Sequence, residues 1–266
     1  NNYLLKLASE ELNYNSVLKY VGEETRATLE GYDATGIIDI ALEVGGKLNS
    51  AKQPSITANF NVENAALTEK SSKNRLTDLS GSGKYKKLPN GTDELTLEHI
   101  SGKLGSGAFD GKLSIKNFKH PYIKLDINGT ADIKQWKRFF SLDKFEQLEG
   151  RIKLSAIYSG KIKALDKFTL EEVKALKSAG TLIAENVYIS QKGNSITYED
   201  FSGKLILQNN NLNITQLIGK IKGQPVRAKG YFANVFPFML FEHQPLKIRA
   251  DISSEQLDLN ALLAES

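Results

Sequence analysis

Apolar and polar residues alternate along most of this chain, and that period constrains its fold more than any other feature. Ala58, Phe60 and Val62 are separated by Asn59 and Asn61 and followed by Glu63. Leu95 and Leu97 flank Thr96, and Ile123, Leu125 and Ile127 enclose Lys124 and Asp126. Ile152, Leu154 and Ala156, then Leu212 and Ile214, then Ile248, Ala250 and Ile252 repeat the pattern. A period of two places successive side chains on opposite faces of a strand, so these stretches predict strands with one apolar and one wet face. Antiparallel sheets tolerate a solvated face, whereas parallel sheets are normally covered on both. Turn signals fall between the runs: Gly45-Gly46, Gly81-Ser82-Gly83, Asn90-Gly91, Gly102, Gly105-Ser106-Gly107, Asn209-Asn210-Asn211 and Gly223. Asn90-Gly91 predicts a type I′ hairpin turn, in which both central residues take positive φ.

The chain also repeats itself. Gly36–Leu48 matches Gly150–Ile162, and Ala58–Thr68 matches Gly180–Ser190, with Glu63-Asn64 falling on Glu185-Asn186. Leu95–Leu104 matches Leu212–Ile221, and Asp132–Lys137 matches Asp258–Leu263. The blocks keep their order while the spacing between partners grows, the signature of duplication with loop insertions. Asn13–Val21 resembles Asp132–Phe140. The division read from these matches is a tail of a preceding unit over 1–33, a first repeat over 34–148 and a second over 149–266. On this reading the sequence is a slice of a longer repeat protein, and equivalent blocks occupy equivalent places. The expected main difference is an insertion at about 163–179. Repeats of this kind build extended surfaces more readily than a single catalytic pocket.

Few helices are expected. Thr169-Leu170-Glu171-Glu172 is a capping box, and Leu170, Val173 and Leu176 continue it as a helical stripe. Short closing helices are expected at 134–140 and 260–264, and another at 3–12.

The residues argue against the common site chemistries. The chain has no cysteine, which excludes disulfides and thiolate metal sites. His99, His120 and His243 have no second ligand at metal-binding spacing. Gly105, Gly107 and Gly111 depart from the phosphate-loop spacing and read as a turn or bulge. Asp132 and Asp258 recur just before the short helices and read as N-terminal caps. Asn64 and Asn186 recur where a strand is expected to end, and read as backbone-bonding residues. Phe139-Phe140 and Leu262-Leu263 read as core plugs. Asn90, Asn128 and Asn213 each begin a match to the glycosylation sequon, a short pattern that carries little in an asparagine-rich chain. The net charge of +4 is spread along the chain as a lysine-rich surface without an arginine cluster. It speaks against nucleic acid and is compatible with anionic lipid headgroups.

The block order resembles a known family. The glycine-led strands, the Glu-Asn pairs, Ile100-Ser101-Gly102-Lys103-Leu104, Phe109–Phe118 and Leu257-Asp258-Leu259-Asn260 are similar to the AsmA-like proteins of Gram-negative bacteria, most of all to versions from the Bacteroidetes. The resemblance covers roughly 11–264. It implies a repeated antiparallel sheet curled into an elongated open groove or half-barrel, with a few short helices. It further implies a periplasmic location, a parent protein anchored in the inner membrane, and kinship with bridge-like lipid transfer proteins, which carry acyl chains between membranes. It implies no cofactor and supplies no catalytic motif.

The lining expected for such a groove is Phe60, Val62, Leu95, Leu97, Leu125, Leu182, Ala184, Leu212, Ile214 and Ile248, all on one face. Asn59, Asn61, Thr96, Asp126, Asn213 and Arg249 are expected on the wet face. Expected partners are lipid acyl chains and, through other parts of the parent protein, the inner and outer membranes. Two alternatives remain at this point. A structural or adhesive tandem of β-sandwiches would suit the repeat length. A glycoside hydrolase would need two carboxylates across a cleft, and no pair stands out.

Overall fold

The computed structural model describes residues 2–13, 16, 30–48, 53–70, 74–139, 142–163, 168–255 and 258. The elements run β1 (Asn2–Leu12), β2 (Tyr32–Lys47), β3 (Ser55–Glu69), β4 (Arg75–Lys87), β5 (Asp93–Leu104), β6 (Gly107–Lys116), β7 (Tyr122–Asp132), α1 (Ile133–Phe139) and β8 (Phe145–Lys161). They continue with α2 (Leu170–Ala175), β9 (Lys177–Gln191), β10 (Thr197–Gln208), β11 (Asn211–Ile221), β12 (Gln224–Ala233), α3 (Val235–Leu240) and β13 (Lys247–Ser253). The protein is mainly β, as the alternation predicts. The strands form a 13-stranded antiparallel sheet in which each lies beside its neighbours in sequence. β1 and β13 are its edges, so the sheet is not closed. No Greek-key crossing of the sandwich kind occurs in this order. Among the described residues, no helix is long and apolar enough to cross a membrane.

The chain divides into two compact bodies, Asn1–Asp126 with Ser159–Phe168, and Ile127–Tyr158 with Thr169–Ser266. Residues 127–148 fall in the second body and 159–168 in the first.

Matching sequence blocks hold matching places in strand order, β2 with β8, β3 with β9 and β5 with β11. The local geometry repeats in detail. Gly36 and Gly150 take φ of 127° and 114°. A Cβ at Gly36 would stand 2.6 Å from Ala65 Cα, and one at Gly150 2.7 Å from Val187 Cα. Asn64 and Asn186 both have φ of 49°, and their amides donate to Ser80 Oγ and Ser202 Oγ. Both asparagines sit inside long strands at bulges, not at the strand ends expected of them. A bulge turns the backbone without ending the ladder, so the strands run on. We expect Gly150→Ala to lower stability by about 3 kcal/mol, because it combines a backbone clash with a disfavoured φ. Gly193→Ala is the control, since Gly193 has φ of 70° with open space around it. It should lose only about 1 kcal/mol in denaturant titrations.

Three local expectations change. The stretch expected to be helical at 3–12 is β1, paired from Asn2↔Lys47 to Leu12↔Ile38, so ladder pairing overrides local propensity. Gly45-Gly46, Gly81-Ser82-Gly83 and Gly102 lie within β2, β4 and β5 and not in turns. A Cβ at Gly83 would stand 2.6 Å from Phe60 Cζ and 2.8 Å from Leu97 Cδ2, so the glycine makes room for its cross-strand neighbours. At Asn90-Gly91 only Gly91 takes positive φ, and Asn90 Oδ1 accepts the Thr92 amide instead, so the turn is not type I′.

Other expectations hold. The capping box at Thr169 is formed in full, with Glu172 N–H donating to Thr169 Oγ1 and Thr169 N–H to Glu172 Oε2. Asp132 accepts the Lys134 amide at the start of α1. The expected helix at 260–264, the Leu262-Leu263 plug and the side chains of Phe139-Phe140 lie outside the described residues, as does most of Asn13–Val21.

Candidate functional site

Cross-strand partners in an antiparallel ladder share a face, so the registers decide which side chains meet. In the first body Ile40, Phe60, Gly83, Leu97 and Leu113 form one continuous row across β2 to β6. The next row is Leu42, Ala58, Tyr85, Leu95 and Ile115. Val62 follows on the same face through Ile38, and β1 adds Leu7 opposite Leu42 and Leu5 opposite Val44. Phe60, Val62, Leu95 and Leu97 thus lie together, as expected.

This face is apolar but incompletely covered. Phe60, Val62, Leu95, Leu97, Ile40 and Leu42 are half-buried. Leu5 and Leu7 are 51% and 55% exposed. Glycine stands in the middle of the first row, so the face is floored there by backbone with Phe60 and Leu97 resting over it. Its end along β4 and β5 is polar: Tyr85 OH donates to Asp93 Oδ1 at 2.6 Å, and Lys87 is in register with Asp93. Burial, then the Asp93 bond, raises the Tyr85 phenol well above its ordinary value. On the opposite face Asn59 and Thr96 are exposed. Lys103 pairs with Asp78 there at 2.8 Å, which raises the lysine above its usual range through a hydrogen bond and charge attraction.

In the second body the equivalent face is filled. Leu182, Leu205 and Ile214 make the row matching Phe60, Gly83 and Leu97, with Leu205 where the first body has glycine. Leu207, Leu212, Phe232 and Ile248 form the next. Leu182, Ala184, Leu212, Ile214 and Ile248 therefore share one face. Leu205 is 5% exposed, Leu207 2% and Ile214 4%, in a cluster with Val187, Phe201 and Leu217. Val235 and Phe236 of α3 and Ile133 of α1 pack against it. Burial raises Tyr158, on the rim of this cluster, to about 12. Ala184, Leu212 and Ile214 thus belong to a packed core instead of an open wall, Leu182 is half-buried against it, and Ile248 near the sheet edge is 57% exposed. Leu125 is half-buried on β7, and Asp126 and Arg249 are exposed. Asn61 and Asn213 are half-buried.

The described residues hold no cluster of three metal-ligating acidic or histidine side chains. A shallow hollow lies by Asn61, Glu63, Ser82 and His99, where Asn61 Nδ2 donates to Glu63 Oε1. His99 sits inside β5, beside Ser82 and not at a strand end. That hollow presents no nucleophile paired with a base.

The second body also carries an insertion besides the one expected at about 163–179. In the first body Asn117–Pro121 links β6 directly to β7. In the second, Asn234–Leu246 links β12 to β13 and contains α3. Asn117 and Asn234 open the two links with similar φ, 59° and 66°. The sequence signal was the growth in spacing between the third and fourth matching blocks.

No family model, curated protein or solved structure matches the chain.

Proposed function

We propose that this chain is a periplasmic segment of an AsmA-like envelope protein that binds phospholipid or a related lipid and conducts it between membranes, without catalysis and without a cofactor. On this reading the parent protein is anchored in the inner membrane, and nucleic acid is not a partner. The observation that carries the reading is the half-open apolar face of the first body. It is built from Leu5, Leu7, Phe60, Val62, Leu95 and Leu97 and becomes polar toward Tyr85 and Asp93.

Covering such a face with an acyl chain gains about 0.8 kcal/mol per CH₂ removed from water. The middle rows are similar in chemistry, so an acyl chain finds neighbouring positions of similar energy and can slide. The polar rim at Tyr85, Lys87 and Asp93 suits the headgroup end of an amphipathic molecule.

Native mass spectrometry of protein purified from cells without detergent tests this reading. Expected are charge states carrying lipid-sized adducts that mild extraction removes. Bare protein alone, together with no uptake of phospholipid from vesicles by the extracted chain, would overturn it.

A further inference from the structure

We infer that α3 is a removable plug: it occupies, in the second body, the kind of acyl site that the first body leaves open, and acyl ligand displaces it. This rests on the lipid-binding reading and adds regulation to it. The first observation is the insertion. The two bodies share the ladder, the bulges and the apolar face, but of the two links between fifth and sixth strands of the repeat, β6 to β7 and β12 to β13, only the second carries a helix. Val235 and Phe236 pack against the cluster of that face, while Phe238 and Met239 pack against a neighbouring cluster of Leu142, Phe145 and Leu148. Phe236 meets Tyr158 edge-on with ring centroids 5.8 Å apart, and Phe238 meets Phe145 at 6.3 Å.

The second observation is how α3 is held. Val235–Leu240 is too short to be helical alone, so its order depends on these contacts. The flanking residues Asn234 and His243 both have positive φ, 66° and 57°. At its near end Val235 N–H donates to Asn210 O at 2.8 Å, and Asn234 Nδ2 donates to Pro245 O at 2.8 Å. At its far end one side chain acts as a latch. Lys144 Nζ donates to Phe238 O and stands 4.3 Å from the centre of the Phe238 ring. The segment is therefore fixed at its base by one backbone bond and the Asn234 side chain, and at its tip by Lys144 and the Phe238–Phe145 ring contact. A ligand that supplies apolar cover of its own replaces what Phe236 and Phe238 provide.

The third observation is the residue balance. The first body has Gly83 in the middle row and no helix over the face among the described residues, whereas the second has Leu205 there together with α3. α2, the other inserted helix, lies against α3, and Asn210 Nδ2 donates to Lys174 O of α2. Both insertions thus converge on the same cover.

The test titrates the whole chain with cis-parinaric acid and follows amide hydrogen exchange. In the wild type, the Phe238 and Phe241 amides, bonded to Asn234 O and Pro237 O, should exchange several-fold faster once probe is bound. Phe236→Ala with Phe238→Ala should raise bound probe per chain about twofold. Lys144→Met should give the same rise at lower probe concentration than wild type, with the fold retained. A wild type that binds probe without faster exchange at Phe238 and Phe241 overturns the plug, as does a folded Lys144→Met that takes up probe like wild type. A wild type that binds no probe at all instead removes the lipid-binding reading beneath it.

Discussion

Ile214→Asp should unfold the second body. Ile214 is 4% exposed and lies in register with Leu205 and Gly230, inside the cluster that includes Leu207, Leu212 and Leu217. The substitution removes a buried aliphatic side chain and puts a carboxylate in its place, with no cation among the residues packed there. Losing the side chain destabilises by about 2–4 kcal/mol, and burying an unpaired carboxyl adds several more. Together these approach the whole stability of a domain, about 5–15 kcal/mol. Circular dichroism should show loss of the cooperative transition, and proteolysis should cut within 169–255 first. Asn213→Asp is the control: its side chain lies on the other face, and the melting curve should shift only slightly. A cooperative melt near that of wild type for Ile214→Asp would show that this face is open to water.

Leu97→Asp should do the reverse, removing ligand binding while leaving a folded chain. Leu97 holds the same place in its row as Ile214, but it is half-buried on a face that no described helix covers, so water can reach a carboxylate there. We expect a loss of about 1–2 kcal/mol in stability. An acyl chain lying across Phe60, Leu97 and Leu113 would have to desolvate that charge, which should weaken binding of a fluorescent phospholipid about 100-fold. Thr96→Asp, one residue away on the exposed face, should bind like wild type. Equal binding by Leu97→Asp and Thr96→Asp at matched stability would remove the first body's apolar face from the proposed function.

Much of this protein was legible from local chemistry. A period of two determined which residues are strands and which side chains share a face, because pleating alternates them without exception until a bulge intervenes. The Thr169 capping box was equally plain, since both of its bonds are made within one turn of chain. The repeats were legible because Gly36 and Gly150, or Asn64 and Asn186, sit where the backbone tolerates few other residues. The stretch at 3–12 was misread because its leucines fit a helix as well as a strand, and only pairing with β2 decides between them.

What the sequence could not determine is how far each apolar face is covered. Phe60, Val62 and Leu97 in one body and Leu182, Ala184 and Ile214 in the other read alike, as aliphatic or aromatic residues at every second position. Ala184 and Ile214 are buried where Phe60, Val62 and Leu97 are half-buried, because cover comes from elsewhere in the chain. Val235 and Phe236 reach the second face from a link inserted between β12 and β13, with Lys144 fastening that link from just before β8. Strand period is a property of neighbouring residues. The closure of a face depends on contacts between residues far apart in sequence, and only the tertiary structure brings those together.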